Sequence, residues 1–300
     1  MGELAALANA VVWALTGVIT KGVGKNVKPT HIVTVQVWIG LLFLLTVGLV
    51  IGQLGELVHI QLRSALYLVG GSLMNTSGAL VFWLALSRST VSKVYPTTQS
   101  IFISISVLAG WLFLGDTPQA GVIGGAALII GGVILLNWQP ADKSITTTDI
   151  GAKRKRKPRG DYIGIGLGIT TSFLWAGGFL STVIGLEETP PVAAATIRNL
   201  VPAILFIGIN IAFPSARITR VFKGNGTRLT LGGILFAVSA LSFVVALDNA
   251  PPGVVVVLIN TSPMWAVVFA TVLLRERLNR FALGGAALSV AGIFVTLAFR

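Results

Sequence analysis

The segment GVIGGAALIIGGVILL at residues 121–136 decides the fold of this chain. It contains no charged residue, and its aliphatic side chains alternate with glycine and alanine, a composition typical of a helix that packs closely inside a lipid bilayer. Its central pentapeptide, GGAAL at residues 124–128, recurs at residues 284–288. A hydrophobic helix that occurs twice indicates a membrane protein with an internal duplication.

The composition of the whole chain supports this interpretation. Of its 300 residues, 11% are charged and 54% are hydrophobic, and the mean hydropathy is +0.87. A soluble domain of this size carries roughly a quarter of its residues as charged groups to cover its surface. The composition therefore excludes an ordinary soluble globule and favours a chain that crosses the lipid bilayer many times.

Ten runs of the chain are long enough to cross about 30 Å of hydrocarbon at about 20 residues per helix. The runs cover residues 4–20, 32–52, 64–87, 94–115, 119–138, 162–185, 191–213, 229–247, 252–274 and 281–299. Only the seventh run contains a charged residue, Arg198. Because lipid offers no partner to backbone polar groups and strand-like alternation is absent, the runs are predicted to be helices. The predicted fold class is an all-α polytopic membrane protein with ten transmembrane helices.

The chain divides into two copies of five helices. In the first part of each copy the repeat has an offset of 162 residues, and in the last part the offset is 160, as if two residues were deleted between the third and fourth helices. The offset of 162 pairs Trp13 with Trp175, Thr20 with Thr182 and Pro29 with Pro191; the offset of 160 pairs Asp116 with Glu276 and Gly132 with Gly292. Five is an odd number, so the second copy is predicted to enter the membrane inverted. The predicted boundaries are 1–138 for the first copy, 139–161 for a linker and 162–300 for the second copy.

The basic residues are distributed unequally between the two sides of the membrane. Nineteen of the 22 Lys and Arg residues fall in the connections after the first, third, fifth, seventh and ninth helices, and six of them crowd into residues 153–159 of the linker. A tether for nucleic acid or anionic lipid is one interpretation of this stretch. The absence of interleaved aromatic residues favours the other, a loop that sets membrane topology, and we expect no nucleic-acid partner.

These features resemble the EamA family of the drug/metabolite transporter superfamily. The resemblance rests on the early Trp-Ala pair of each copy, the proline that opens each second helix, and the acidic turn followed by GGAAL. It covers nearly the whole chain apart from the linker, and it implies a ten-helix secondary transporter or exporter of small metabolites with a central cavity between the halves. The resemblance also implies cytoplasmic termini, whereas the charge bias places both termini outside. We follow the charge bias, because the connections are short and the bias is large.

Arg198 is the first candidate for a functional residue. A charged side chain inside a membrane helix is by default a functional hypothesis, and a guanidinium can bind a carboxylate or phosphate through two hydrogen bonds. The alternative is that Arg198 reaches toward the interface or binds the carbonyl groups of a neighbouring helix. The equivalent position in the first copy is Gln36, so the predicted site is asymmetric.

Six other residues complete the predicted substrate site. Trp13 and Trp175 lie near the middle of their helices, where they could present aromatic faces to a solute or pack across the pseudo-twofold axis. The polar residues are Gln36 together with Asn75, Gln99 and Asn260, which the resemblance places on helices around the cavity. The alternative role for each polar residue is an ordinary interhelical hydrogen bond. Asn260 also precedes Pro263, which permits a kink in the ninth helix.

Several kinds of chemistry are disfavoured by what the sequence lacks. There is no cysteine, there are two histidines, and no ATP-binding loop or catalytic triad motif occurs, so we expect no metal, no cofactor and no enzymatic activity. All ten acidic residues lie at helix ends or in connections, so exchange of a cationic drug for a proton at an embedded carboxylate is disfavoured.

The sequence therefore predicts a multi-pass protein of the cell membrane that moves a small metabolite by alternating access. Because the one intramembrane charge is positive, the expected substrate is an amino acid or a similar anionic or amphipathic solute. The alternatives are a lipid-carrier flippase of the same superfamily and a membrane scaffold or sensor that transports nothing. The expected partners are the small-molecule substrate and the lipid bilayer, and the sequence leaves the oligomeric state open.

Overall fold

The computed structural model describes residues 1–21, 23, 29–137, 158–212, 222, 224–274 and 280–299. Within these ranges the ordered elements are helices, and no strand occurs. In chain order they are α1 (Gly2–Lys21), α2 (Pro29–Val50), α3 (Glu56–His59), α4 (Leu62–Arg88), α5 (Val91–Leu114), α6 (Ala120–Leu136), α7 (Pro158–Leu186), α8 (Pro191–Ala212), α9 (Gly226–Asn249), α10 (Pro252–Ile259), α11 (Ser262–Leu274) and α12 (Arg280–Ala298).

The predicted all-α polytopic fold is confirmed. In the described part of the chain, nine segments are long and apolar enough to cross a membrane, and Ala120–Leu136 is a shorter apolar helix of 17 residues at the position of the predicted fifth span. At 1.5 Å per residue that helix is about 26 Å long, close to the thickness of the hydrocarbon core. Trp138 and Phe213, at the ends of two predicted spans, lie outside the described residues.

Helix α7 begins before the apolar run that predicts it. It starts at Pro158, four residues before the predicted start of the sixth span at Tyr162, because proline is favoured in the first turn of a helix and a helix can extend beyond the hydrocarbon. Residues 138–157, which include most of the basic stretch, lie outside the described residues.

The ninth span is two helices with a break between them. α10 ends at Ile259, and α11 begins at Ser262. Pro263 has no N–H to donate to the carbonyl group of Ile259, so the helical hydrogen-bond ladder is interrupted there. Within the break, the Thr261 hydroxyl donates a hydrogen bond of 2.7 Å to the carbonyl oxygen of Leu258, the residue before Ile259. The predicted kink therefore exists, and it lies at mid-span.

The packing of the helices obeys a pseudo-twofold relationship. α1 packs on α9, and its counterpart α7 packs on α4; α1 also contacts α10 and α11, and α7 contacts α5. α2 packs on α9 as its counterpart α8 packs on α4, while α2 and α8 contact each other and so do α6 and α12. The main contacts between the two copies thus occur in equivalent pairs. Two inverted copies of five helices produce this pattern.

Small residues bring the paired helices into direct backbone contact. A Cβ atom added to Gly178 would lie 2.7 Å from the carbonyl oxygen of Gly71, between α7 and α4. One added to Gly285 would lie 2.7 Å from the carbonyl oxygen of Gly132, between α12 and α6. In lipid, helix association depends on such close van der Waals contact, so these glycines hold the two copies together.

Candidate functional site

A cavity of about 340 Å³ lies between α1, α5 and α11. Its wall is mostly apolar, with two aromatic side chains and two hydroxyl groups, those of Tyr95 and Ser262. The lining residues are Trp13, Ala14, Gly17, Val18, Tyr95, Ser262, Pro263, Ala266, Val267 and Ala270. The break in the ninth span therefore places Ser262 and Pro263 in the wall of the cavity.

The cavity lies toward one end of the helix bundle. Val18 is near the end of α1, Tyr95 is near the start of α5, and Ala270 is near the end of α11. These helix ends lead into the connections after the first, third and ninth spans, which belong to the side of the chain that carries nineteen of the 22 Lys and Arg residues. We call this end of the bundle the basic face, and the other end the opposite face. The cavity therefore lies near the basic face.

Two aromatic rings lie in the cavity wall, and one amide side chain bonds to the second of them from behind. Trp13 is 51% exposed, and its ring packs at 6.0 Å on Phe236 with an interplanar angle of 47°, so a large part of the indole is available to a solute. The side chain of Gln99 forms a hydrogen bond with that of Tyr95. Two of the predicted site residues, Trp13 and Gln99, are therefore in or directly behind the cavity wall.

A chain of six aromatic rings runs from the cavity into the interior of the protein, and we call it the aromatic chain. Its members, in spatial order, are Tyr95, Phe82, Trp175, Phe102, Phe179 and Phe243. The successive centroid distances are 5.9, 5.3, 6.1, 6.3 and 6.0 Å. These distances lie within the range of attractive ring contacts, so the rings form one continuous packed row.

Arg198 lies at the inner end of the aromatic chain. Its guanidinium carbon is 4.6 Å from the centroid of the Phe243 ring, a cation–π contact. The Ser72 hydroxyl donates a hydrogen bond of 2.6 Å to the backbone carbonyl oxygen of Arg198, which fixes this part of α8 against α4. Among the described residues, no carboxylate forms a salt bridge with the guanidinium, and its buried Nε atom has no hydrogen-bond partner. The site thus holds a cation without a protein counter-ion in the described part of the chain.

Gln36, the repeat equivalent of Arg198, has a different environment. Its side chain is buried, and its Nε2 atom donates a hydrogen bond of 2.7 Å to the Thr20 hydroxyl. The first copy therefore holds a neutral amide, Gln36, which bonds to a residue of the same copy. The second copy holds a charged guanidinium, Arg198, which contacts the Phe243 ring. The structure places Gln36 apart from the aromatic chain.

The two predicted asparagines have distinct places. The Asn75 side chain is exposed, and its backbone carbonyl oxygen accepts a hydrogen bond of 3.3 Å from Nε1 of Trp175. Asn260 is buried, and its Nδ2 atom donates to the Val256 carbonyl oxygen at 2.7 Å, within α10. Asn75 therefore supports the aromatic chain, and Asn260 supports the helix break.

Sequence reasoning missed most of the aromatic chain. Phe82, Phe102, Phe179 and Phe243 belong to four different helices, and Tyr95 to the same helix as Phe102. No spacing along the sequence connects them, because only the packing of α4, α5, α7 and α9 brings them together. The one available signal was the occurrence of phenylalanine near the middle of charge-free spans, which is common in lipid-facing helices as well. Within the described residues, no group of three His, Asp or Glu side chains could hold a metal ion.

A bundle of helices of membrane-spanning length, built from two pseudo-symmetric copies around an aromatic cavity, has the architecture of a multi-pass membrane transporter. Residues 1–138 and 162–298 match the EamA-like transporter family. The chain belongs to this family, and the resemblance noted in its sequence is confirmed.

Comparisons with individual proteins agree with this assignment. A protein of Salmonella typhimurium described as a probable amino-acid metabolite efflux pump is 26% identical over 134 residues, which are 44% of this chain and 42% of that protein. A Bacillus subtilis protein described as the uncharacterized transporter YvbV is 28% identical over 153 residues, 51% of this chain and 50% of that protein. The chain thus spans half or less of the length of these curated relatives in the matched regions. A solved crystal structure shares the fold, with a TM-score of 0.78 over 100% of this chain and 97% of that one at 15% identity.

Proposed function

We propose that this protein is a secondary transporter that moves a small anionic or amphipathic metabolite, with amino acids as the leading class, by alternating access. The solute first enters the cavity between α1, α5 and α11, where Trp13 and Tyr95 contact its apolar part. Its carboxylate then binds to Arg198, deeper in the bundle, after a change of conformation opens a path past the aromatic chain.

The observation that carries the proposal is the environment of Arg198. A cation in a medium of low dielectric is costly unless it is paired, and cation–π contact with Phe243 offsets only part of this cost. The described residues supply no carboxylate to it, and Nε keeps an unused hydrogen-bond donor. A carboxylate brought by the substrate would provide both the charge and the acceptor atoms.

The probable amino-acid efflux activity in the name of the Salmonella typhimurium relative agrees with this substrate class. The cavity also favours transport over a scaffold role, because a scaffold has no need of an open volume of about 340 Å³ between its helices. The wall has few hydrogen-bonding groups, which suits a solute with one charged end and one apolar end.

Counterflow in proteoliposomes tests the proposal. A panel of radiolabelled amino acids is offered together with the corresponding amines, which lack the carboxylate. We expect accumulation of at least one amino acid and not of its amine, and we expect Arg198→Ala to reduce that accumulation by more than tenfold, about 1.4 kcal/mol or more. Arg63→Ala is the matched control, since Arg63 is exposed at the start of α4, where its guanidinium carbon lies 5.9 Å from the centroid of the Tyr67 ring.

Two results would contradict the proposal. Accumulation that is unchanged by Arg198→Ala would remove Arg198 from the substrate site. Acceleration of phospholipid or polyprenyl-phosphate movement between leaflets, with no uptake of any soluble solute, would favour the flippase alternative.

A further inference from the structure

The acidic turn after α5 is repeated in the sequence, and transport of a solute at Arg198 gives it no role. In the structure this turn is ordered and makes one contact with the other copy. The Asp116 Oδ2 atom accepts a hydrogen bond of 2.7 Å from the backbone N–H of Gly253, at the start of α10. The contact joins the first copy of the repeat to the second.

The turn holds the carboxylate in one position. Gly115 ends α5 with φ +69, a left-handed conformation that favours glycine, and the Asp116 N–H donates to the Gly110 carbonyl oxygen at 3.1 Å. This C-terminal cap of α5 directs the Asp116 side chain toward α10. The turn is thus built to aim a carboxylate at a neighbouring helix.

The Asp116 carboxylate supplies a hydrogen-bond acceptor for the first N–H groups of α10, which the residues before α10 do not supply. The first N–H groups of a helix lack partners within the helix and carry partial positive charge. The N-cap residue of α10 is Pro251, which makes no side-chain hydrogen bond to the helix. Asp116 therefore caps α10 from the other copy of the repeat, through a charge-assisted hydrogen bond.

This cap and the cavity lie at opposite ends of the same helix pair. Along α5, Tyr95 lies at the cavity and Asp116 at the cap, about 30 Å apart at 1.5 Å per residue. Along the ninth span, Ala270 lies at the cavity and Gly253 at the cap, and nearly the whole span separates them. The ninth span therefore contacts the acidic turn near the opposite face and lines the cavity near the basic face, with the break at Asn260 and Thr261 between Gly253 and most of the cavity.

We propose that the Asp116–Gly253 contact is a latch that closes the opposite face while the cavity is open to the basic face, and that it must release when the cavity opens the other way. This inference rests on the alternating access proposed above. The hinge for the motion is the break between α10 and α11, because the hydrogen-bond ladder is already interrupted there and α10 can tilt without the loss of further helical bonds.

The latch can be tested by thiol labelling, because the chain has no cysteine of its own. Val122→Cys reports on the opposite face: Val122 is 3% exposed, and its Cγ1 atom is 3.5 Å from a Cβ atom built on Gly253. Ala266→Cys reports on the cavity. Each reporter is labelled with a membrane-impermeant maleimide in nanodiscs, where both faces are accessible, in the parent and in an Asp116→Ala background.

We expect Asp116→Ala to raise the labelling rate of the cysteine at position 122 and to lower that of the cysteine at position 266. If the parent opens to the opposite face about one tenth of the time, a tenfold shift in that equilibrium raises labelling at position 122 about fivefold and lowers it at position 266 about twofold. Gly253→Ala should act in the same sense, since the added methyl group would lie 3.1 Å from Oδ2 of Asp116. Asp248→Ala is the matched control and should leave both rates unchanged, because the Asp248 carboxylate is exposed and, in the described part of the chain, accepts a hydrogen bond from the adjacent Asn249 side chain.

A rise at position 122 without a fall at position 266 would overturn the latch, because it would show that Asp116 stabilises only its local helix end. No change at either position would overturn it as well. If Asp116→Ala does not fold, Asp116→Asn and Gly253→Ala carry the same test with a smaller change in shape. The labelling requires no substrate, so its outcome is independent of whether Arg198 binds a carboxylate.

Discussion

The guanidinium of Arg198 stacks on the ring of Phe243, 4.6 Å from its centroid. The two residues belong to neighbouring helices, α8 and α9, so the contact fixes the guanidinium at the inner end of the aromatic chain. A guanidinium carries five N–H donors, and a carboxylate can accept two of them at once. Phe243 is therefore a positioning residue for the proposed substrate site.

Replacement of Phe243 should weaken substrate binding. A cation–π contact contributes about 0.5 to 2 kcal/mol, so Phe243→Leu is expected to raise the half-saturating substrate concentration by about 2- to 30-fold. Phe243→Tyr keeps the aromatic face and should restore affinity to near the parent value. Concentration dependence of counterflow measures both, and equal affinity in Phe243→Leu and the parent would refute the positioning role. Phe294→Leu, which removes a ring that is 69% exposed on α12, controls for a general effect of losing a phenylalanine.

The two repeat-equivalent tryptophans should respond differently to the same substitution. Trp175 packs on Phe82 and Phe102 and donates a hydrogen bond to Asn75, so Trp175→Ala leaves a hole in the aromatic chain and should cost about 3 to 5 kcal/mol of stability. Trp13 is 51% exposed at the cavity, so Trp13→Ala should change stability little and reduce transport instead. Thermal unfolding of the detergent-purified variants measures this difference. Equal losses of stability would contradict the assignment of Trp13 to a cavity wall.

Adjacent glycines in α6 should differ in their tolerance of a methyl group. A Cβ atom on Gly132 would lie 2.8 Å from the Gly285 carbonyl oxygen, whereas one on Gly131 would meet only the end of the Leu288 side chain at 3.8 Å. Gly132→Ala should therefore push α6 from α12 and destabilise the protein by about 1 to 3 kcal/mol. Gly131→Ala should be neutral or slightly stabilising, because alanine favours the helix. Melting temperatures of the two variants check the prediction, and equal melting temperatures for Gly131→Ala and Gly132→Ala would contradict it.

The membrane orientation follows from charge. Nineteen of the 22 basic residues belong to connections at the basic face, so this face should be cytoplasmic and the carboxyl terminus should lie outside. An alkaline phosphatase fusion at the carboxyl terminus, expressed in a bacterial host, should be active, and a fusion of green fluorescent protein at the same place should be dark. The reverse pattern would show cytoplasmic termini. In the predicted orientation the cavity of the structure lies near the cytoplasmic side, where an exporter loads its substrate.

Much of the fold could be predicted from the sequence. Long runs without charge define the spans, because lipid admits only segments that satisfy their own backbone, and the repeated GGAAL pentapeptide marks the duplication. Pro263 predicts the kink of the ninth span, because proline removes one helical hydrogen bond. Proline alone does not fix a break, however, since Pro202 lies within the unbroken helix α8. The start of α7 at Pro158 was missed, because a helix can extend into water beyond the apolar run that reveals it.

The candidate site was predictable only in part. Arg198 was evident as a charge in a span, and Trp13 was evident as a tryptophan at mid-depth. Gln36 and Asn260 were equally plausible on the sequence, yet one bonds to Thr20 and the other to its own helix. A polar residue in a membrane helix needs a partner, and the sequence of one helix does not say whether that partner lies in the same helix, in a neighbour or in a cavity.

What the sequence by itself determined is the class of the molecule: the number and approximate limits of its helices, their duplication, the bias of charge between its two faces and the one cation left within the membrane. These are properties of hydropathy and periodicity, which act along the chain. Only the tertiary structure decided that Arg198 faces Phe243, that six rings from four helices form a row, and that Asp116 caps a helix of the other copy. Each of these is a contact between residues far apart in sequence, and such contacts depend on how helices of nearly uniform hydrophobicity pack, which their hydropathy does not encode.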